Sequence, residues 1–299
     1  MADLTFYSNG KLLLTGEYVV LDGATALAFP TTFGQTLTVT ETNSNTLIWK
    51  SIDRKQTTWF EAHFSLDTLL TTQTDQTSIT LQNILQKARE LNPSFLKDSS
   101  GLEVATQLDF PRNWGLGTSS TLINNIAQWA NVEAFTLLEE SFGGSGYDIA
   151  AAQHTKPILY QRGLPPTVRE VHLPWEFKEQ LFFVHLNQKQ DSKEGIERYR
   201  AQNVSPQMIE KISDLSNKLL LCYNLGDFEK ILQSHEQLIA ETIGLPTVKD
   251  RLFPDYNGTI KSLGAWGGDF VLATGTYEDM NYFREKGYET ILSFEEMIK

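Results

Sequence analysis

The chain has 299 residues, 40% hydrophobic and 21% charged, and at roughly 150 residues per domain it has room for two domains or one large one. Acidic residues outnumber basic ones by 37 to 25, and a net charge of −12 argues against nucleic-acid binding, which needs a concentrated basic face. No apolar run approaches the roughly 20 residues of a membrane helix, and the start Met1-Ala2-Asp3-Leu4-Thr5 has no signal-peptide core. One cysteine, Cys222, excludes an internal disulfide, so the expectation is a cytoplasmic protein that engages neither nucleic acid nor membrane.

The first forty residues read as β structure. Leu4 to Tyr7, Lys11 to Leu14, Tyr18 to Leu21 and Thr36 to Thr40 are short, rich in β-branched or aromatic residues, and separated by Gly, Asn and Pro. Thr46 to Ile52 and Thr57 to Ser65 continue the pattern. Ser78 to Leu91 has the apolar spacing of a helix and stops at Asn92-Pro93. A strand-like run from Leu102 to Phe110 and a helix-like run from Leu122 to Asn131 follow, then a helical stretch near Val132 to Ser141 and a strand at Lys156 to Tyr160. Arg162-Gly163-Leu164-Pro165-Pro166 is the best boundary, which divides the chain into residues 1–163 and 164–299. Beyond it, Val168 to Leu173 and Gln180 to Leu186 read as strands, and Ser192 to Ala201, Ser205 to Asn224 and Asp227 to Thr242 as helices. Leu225-Gly226-Asp227 marks a helix end with Asp227 as the next N-cap. The tail offers a strand to Ala273, a helix near Glu278 to Lys286 and a last strand at Glu289 to Phe294. The pattern is α+β in two halves.

Between the strand and helix at the centre lies Phe110-Pro111-Arg112-Asn113-Trp114-Gly115-Leu116-Gly117-Thr118-Ser119-Ser120-Thr121. Glycines let a ligand approach the main chain, and the N–H groups and dipole of a helix start favour an anion, commonly phosphate. The four hydroxyls can cap the helix, meet a phosphate oxygen or hold Mg²⁺. A tight turn with an ordinary Ser/Thr cap explains the stretch equally well. It is neither a Walker A loop, since no Gly-Lys-Ser/Thr follows, nor a complete dinucleotide fingerprint. The five histidines are scattered without zinc-ligand spacing and read as structural or surface residues.

Three further segments accompany the loop: Gly10-Lys11 followed by Gly16-Glu17-Tyr18, then Gly144-Ser145-Gly146-Tyr147-Asp148, then Gly264-Ala265-Trp266-Gly267-Gly268. In order and content these resemble the motifs of the GHMP kinases (galactokinase, homoserine, mevalonate and phosphomevalonate kinases), and look closest to the mevalonate and phosphomevalonate kinases. Mevalonate kinases usually carry His where Tyr18 stands, a departure that bears on the acceptor. The resemblance implies a two-domain fold, with an N-terminal nucleotide-binding domain like ribosomal protein S5 domain 2 and a ferredoxin-like C-terminal domain. It implies transfer of the ATP γ-phosphoryl, with Mg²⁺, to a small acidic acceptor, phosphomevalonate or mevalonate. A homoserine or sugar kinase on the same scaffold, or a nucleotide-binding regulatory protein without turnover, remain the alternatives.

By the same resemblance, Asp148 is the residue that orients or deprotonates the acceptor hydroxyl, and a plain helix N-cap is the alternative reading of it. Lys11 lowers the acceptor hydroxyl's pKa or neutralises the transferring phosphoryl, against an exposed surface lysine. Pro111, Gly115, Leu116, Gly117, Thr118, Ser119 and Ser120 form the nucleotide loop. Ser119 aligns with the family's metal-binding serine, and Glu139 or Glu140 supplies the second ligand, Glu139 being preferred. Glu17, Tyr18, Ser145, Gly146, Lys189 and Ser192 are the implied acceptor contacts. Arg112 and Lys193 are cations suited to a phosphorylated acceptor, or else solvated charges. Residues 264–268 either touch ligand or pack under the nucleotide loop. A monomer or homodimer is expected.

Overall fold

Period-two alternation builds the first sheet. β1 (Leu4–Leu13) pairs with β2 (Ala26–Thr42), and β3 (Thr46–Ile52) turns Leu47, Trp49 and Ser51 inward while its other residues face outward. β4 (Thr58–Ser65) pairs antiparallel with β3. α1 (Gln76–Leu91) follows, its first turn capped by the Asp75 carboxylate, which accepts from the Ser78 N–H. Leu81, Ile84, Leu85 and Ala88 form its buried stripe. β5 (Gly101–Leu108) returns parallel to β3 and antiparallel to β2, so that Trp49 and Val39 both sit opposite Val104. α2 (Thr118–Ala130), α3 (Ala134–Ser141) and α4 (Tyr147–Gln153) come next.

In this computed structural model, residues 3–97, 99–188, 192–264, 266 and 268–299 are described. The chain divides into two units. One takes Met1–Gly10, Phe33–Arg112 and Gly117–Gln153; the other takes Lys11–Thr32, Asn113–Leu116 and His154–Lys299. The core of the first unit is Trp49, Phe64, Leu85, Val104, Ile123, Ile126 and Leu137.

In the second unit β6 (Ile158–Gln161) pairs with residues 26–28 of β2 and with β7 (Thr167–Glu170). β8 (Leu181–His185) is followed by α5 (Ser192–Arg200), α6 (Pro206–Leu219), α7 (Leu225–Ile243) and α8 (Val248–Leu252). β9 (Ile260–Leu263), β10 (Phe270–Thr274), α9 (Asn281–Glu285) and β11 (Ile291–Ser293) complete the chain, apart from one last helical turn. The order β11-β8-β10-β9 is antiparallel throughout. β8, β9 and β10 are buried along their whole length; β8 and β10 are largely apolar for that reason, while β9 buries Lys261 and Ser262. Phe182, Val184 and Val271 pack with Val248, Phe253 and Phe283. No helix among the described residues is long and apolar enough to cross a membrane.

The α+β expectation stands, with local corrections. Tyr18 to Leu21 is not a strand. Positive φ at Gly16, Tyr18 and Gly23 bends the chain into a 3₁₀ turn, Val19–Asp22, whose Val19 and Val20 are buried. α2 begins at Thr118 rather than Leu122, because the hydroxyl run lies inside the helix's first turn. The N-cap of α7 is Asn224, whose side chain accepts from the Asp227 N–H at 3.0 Å, so Gly226 and Asp227 lie within the helix. β9 and α8 escaped the sequence reading: each is only a few residues long, and Ile260-Lys261-Ser262-Leu263 has no alternating pattern. Replacing Asn224 by Ala should therefore cost about 1 kcal/mol of stability in urea unfolding, whereas Asp227→Ala should cost less.

Candidate functional site

Gly115 and Gly117 stand at φ +65° and +92°, a left-handed region that favours glycine. They turn the chain into α2. Ser120 and Thr121 then donate their hydroxyls back to the Gly117 carbonyl, at 2.9 and 3.1 Å. The Thr118 and Ser119 hydroxyls make no hydrogen bond among the described residues, and Ser119 is exposed. Four hydroxyls thus split into two that close the helix and two that do not take part in closing it. Leu116 is buried and Pro111 half-buried. Arg112 stacks its guanidinium on the Trp59 ring, 3.4 Å from the centroid, so it is not simply a solvated charge.

Farther along the first unit, Glu139 and Glu140 are exposed on α3. Ser145 is half-buried, and Gly146 is buried with φ +87°. Asp148 is half-buried in the first turn of α4, one residue inside its start at Tyr147. The plain N-cap reading of Asp148 is thereby corrected: Ala150 N–H bonds back to the Gly146 carbonyl, which already places Asp148 within the helix.

The second unit holds the other candidates. Lys11 donates its ammonium to the Gly115 carbonyl at 3.1 Å and its backbone N–H to the Leu116 carbonyl at 2.9 Å. It is half-buried, not a solvated surface lysine. Lys11, Gly115 and Leu116 are therefore brought together as one group. A Cβ at Gly115 would run into the Asp269 carboxylate, so Asp269 packs directly beneath the loop. Trp266 is buried, and its backbone N–H donates to the Tyr18 hydroxyl at 2.9 Å. Tyr18 also stacks on Tyr199, with centroids 6.1 Å apart, and is itself largely buried. Ser192 opens α5. Lys189, Ala265 and Gly267 lie outside the described residues.

Glu17 enters a buried cluster. Its carboxylate pairs with Lys261, which is also 3.1 Å from Glu236. Glu236 accepts from the Ser262 N–H and hydroxyl, and His235 Nε2 accepts from the Gly16 N–H at 2.9 Å. The proton of neutral His235 is thus on Nδ1, which has no hydrogen-bond partner among the described residues, nor has Glu17 Oε2. Burial, reinforced by the Glu236 charge and opposed by Lys261, raises the Glu17 pKa to about 7. Burial would strip Lys261 of its charge, but Glu17 and Glu236 outweigh it and lift its pKa above the ordinary value. Burial, with Lys261 nearby, holds the His235 pKa well below its usual 6.5. No sequence pattern flagged this cluster; the one available signal was a lysine inside a short, otherwise non-charged strand.

The two shifts act on stability with opposite sign. Folded Glu17 keeps a proton that the unfolded chain has released, so its contribution is full below 4.5 and is lost as pH rises to about 7. Folded His235 refuses a proton that the unfolded chain accepts, so its contribution is full above 6.5 and is lost as pH falls. Where both groups titrate, above 4.5 and below 6.5, the two slopes oppose each other. Removing Glu17's titration with Glu17→Gln should expose the histidine: relative to wild type, the variant's melting temperature should rise with pH from about 5 to 6.5. Parallel profiles in a pH series of thermal melts would contradict this account of the cluster.

No family model and no curated protein matches the sequence. Solved structures do match the fold. Methanococcus jannaschii mevalonate kinase is 16% identical, with a TM-score of 0.73 over 97% of this chain and 96% of that one. Streptococcus pneumoniae phosphomevalonate kinase, solved with phosphomevalonate and AMPPNP, is 16% identical at a TM-score of 0.70 over 97% and 99%. Lactococcus lactis galactokinase, solved with galactose, is 14% identical at 0.66 over 97% and 92%. With its two sheets, its glycine turn into α2 and near-complete coverage of all three, the chain has the GHMP kinase fold.

Proposed function

We propose that the protein transfers the γ-phosphoryl of ATP to a mevalonate-pathway acceptor, phosphomevalonate or mevalonate. The observation that carries this reading is the division of labour at the opening of α2, where Ser120 and Thr121 satisfy the helix and leave Thr118 and Ser119 for a ligand. Helix N–H groups and dipole favour phosphate there, and phosphoryl transfer asks mainly for positioning and charge neutralisation. Pro111, Gly115, Leu116 and Gly117 shape the nucleotide loop.

Mg²⁺ is a hard cation that takes oxygen ligands and keeps waters and substrate phosphates in its shell. Ser119, an exposed hydroxyl, and Glu139, an exposed carboxylate, fit that chemistry and are the residues that would hold it. The metal would neutralise charge on the transferring phosphates. Asp148 orients the acceptor hydroxyl and takes its proton, and Lys11 offsets the developing charge. Tyr18, Ser145, Gly146, Lys189 and Ser192 are the proposed acceptor contacts; Glu17, expected among them, has its carboxylate buried against Lys261. The remainder of the reading is a cytoplasmic monomer or homodimer, with domains meeting at residues 163 and 164.

The neighbour solved with phosphomevalonate and AMPPNP supports ATP and a phosphorylated acceptor, while the galactokinase likeness keeps a sugar in contention. An ATP-consumption screen over mevalonate, phosphomevalonate, homoserine and common sugars separates these acceptors. Saturating Mg-ATP should raise the melting temperature; binding without turnover on any acceptor would favour the regulatory alternative.

Ser119→Ala should reduce Mg²⁺-dependent turnover more than Ser120→Ala, whose hydroxyl is committed to Gly117. A larger loss at Ser120 would move the metal ligand by one position. Asp148→Asn should lower kcat by about 10²–10⁴-fold and leave the melting temperature within a few degrees. Lys11→Met should cut turnover while ATP still binds. Near-full kcat in Asp148→Asn would remove it from the chemical step.

A further inference from the structure

Beneath the opening of α2 lies a buried polar network in which Ser8, Gln35, Asn124, Asn125 and Gln153 have no role in the proposed function. Asn124 is 2% exposed and Asn125 fully buried, although both occupy the interior of α2, where asparagine is a poor helix former. Asn124 donates to Ser8 Oγ of β1 at 2.8 Å and accepts from Gln153 Nε2, the last residue of α4, at 3.0 Å. Ser8 in turn donates to Asn125 Oδ1 at 2.7 Å. Asn125 donates to the Gln35 carbonyl of β2 at 2.9 Å, and the Gln35 side chain accepts from Thr121 Oγ1 at 3.0 Å. Thr121 closes the chain against the Gly117 and Thr118 carbonyls.

Stability alone does not account for this arrangement. Well-packed apolar residues of similar volume commonly serve as well as a buried polar group, whereas a satisfied network fixes one register between the elements it joins. Here the joined elements are the first turn of α2, which carries Thr118 and Ser119, and α4, whose first turn carries Asp148. Each helix is tied five residues past its proposed functional group (119 to 124, 148 to 153), about 7.5 Å along its own axis. A slip of either helix would have to break the Asn124–Gln153 bond.

We infer that Asn124, held by Ser8 and Gln153, is a positioning residue that sets α4 against the start of α2, and with it Asp148 against the phosphoryl donor. This rests on the function proposed above. Misplacing a reacting group by about 1 Å can cost about 10²-fold in rate.

The test uses Gln153, because it lies at the exposed end of α4 and its loss leaves the deeper network intact. Gln153→Met removes only the donor to Asn124, and Gln153→Lys supplies a new one. Three quantities are measured: the melting-temperature rise with Mg-ATP, kcat with phosphomevalonate and mevalonate, and hydrogen exchange at residues 147–153 with and without Mg-ATP. Gln153→Met should keep the nucleotide-induced rise, lower kcat by about tenfold or more with KM for ATP unchanged, and lose the Mg-ATP-induced protection of α4. Gln153→Lys should restore both. Wild-type kcat and protection in Gln153→Met overturn the inference, as does a loss that tracks falling stability and is not recovered in Gln153→Lys. If the wild-type protein binds Mg-ATP but turns over neither acceptor, the acceptor assignment fails, and hydrogen exchange alone decides the coupling. If it binds no Mg-ATP, the proposed function fails and this inference with it.

Discussion

The left-handed backbone at Gly115 and Gly117 is the constraint on which the turn into α2 depends. It stops the strand direction of β5 and starts α2 at Thr118, so that four consecutive hydroxyls fall in a single helical turn. At Gly115 the requirement is double. The φ is one that side chains adopt rarely, and a Cβ would collide with Asp269. The same carbonyl receives the Lys11 ammonium. A residue chosen for its missing side chain thus lets one cation and one carboxylate approach the same stretch of main chain.

Each unit keeps a polar interior that an apolar core would not require. In the first it is neutral: amides and hydroxyls joining β1, β2, α2 and α4, every member hydrogen-bonded. In the second it is ionic: Lys261 fully buried between Glu17 and Glu236, with His235 alongside. Moving such charges out of water is costly, and mutual attraction recovers that cost only when the remaining hydrogen-bonding capacity is met. Glu236 meets it through Ser262; Glu17 leaves one oxygen without a hydrogen-bond partner, and burial, with the Glu236 charge, holds the proton on its carboxyl to about pH 7. The cluster ties the turn bearing Gly16 and Glu17 to α7 and β9, the element that local pattern did not reveal.

At 14–16% identity to the three kinases compared, most side chains differ while the course of the chain is retained over 97% of its length. Burial pattern and the turn-forming glycines are sufficient for that, because a fold constrains where apolar residues lie far more than which ones they are. What a protein of a given fold acts on is a different matter. It is chosen by a few polar contacts, and these are what a shared fold leaves open to change.

The sequence by itself determined the elements whose signal is local. The stripe Leu81, Ile84, Leu85 and Ala88 fixed α1, alternation fixed β3 and β4, and glycines beside hydroxyls located the turn into α2. The order of the glycine motifs also pointed to the fold. Tertiary structure decided the rest, for reasons that local sequence does not contain. Tyr18 to Leu21 is apolar and β-like, yet positive φ at Gly16, Tyr18 and Gly23 makes it a 3₁₀ turn whose valines are buried. Four adjacent hydroxyls look alike in sequence; only the position of the Gly117 carbonyl separates Ser120 and Thr121 from Thr118 and Ser119. Asn124 pairs with Gln153, and Glu17 with Lys261, across separations of 29 and 244 residues. Partners so far apart are chosen by packing, since hydrogen bonds and ion pairs act only between groups that the fold has already brought within a few ångströms.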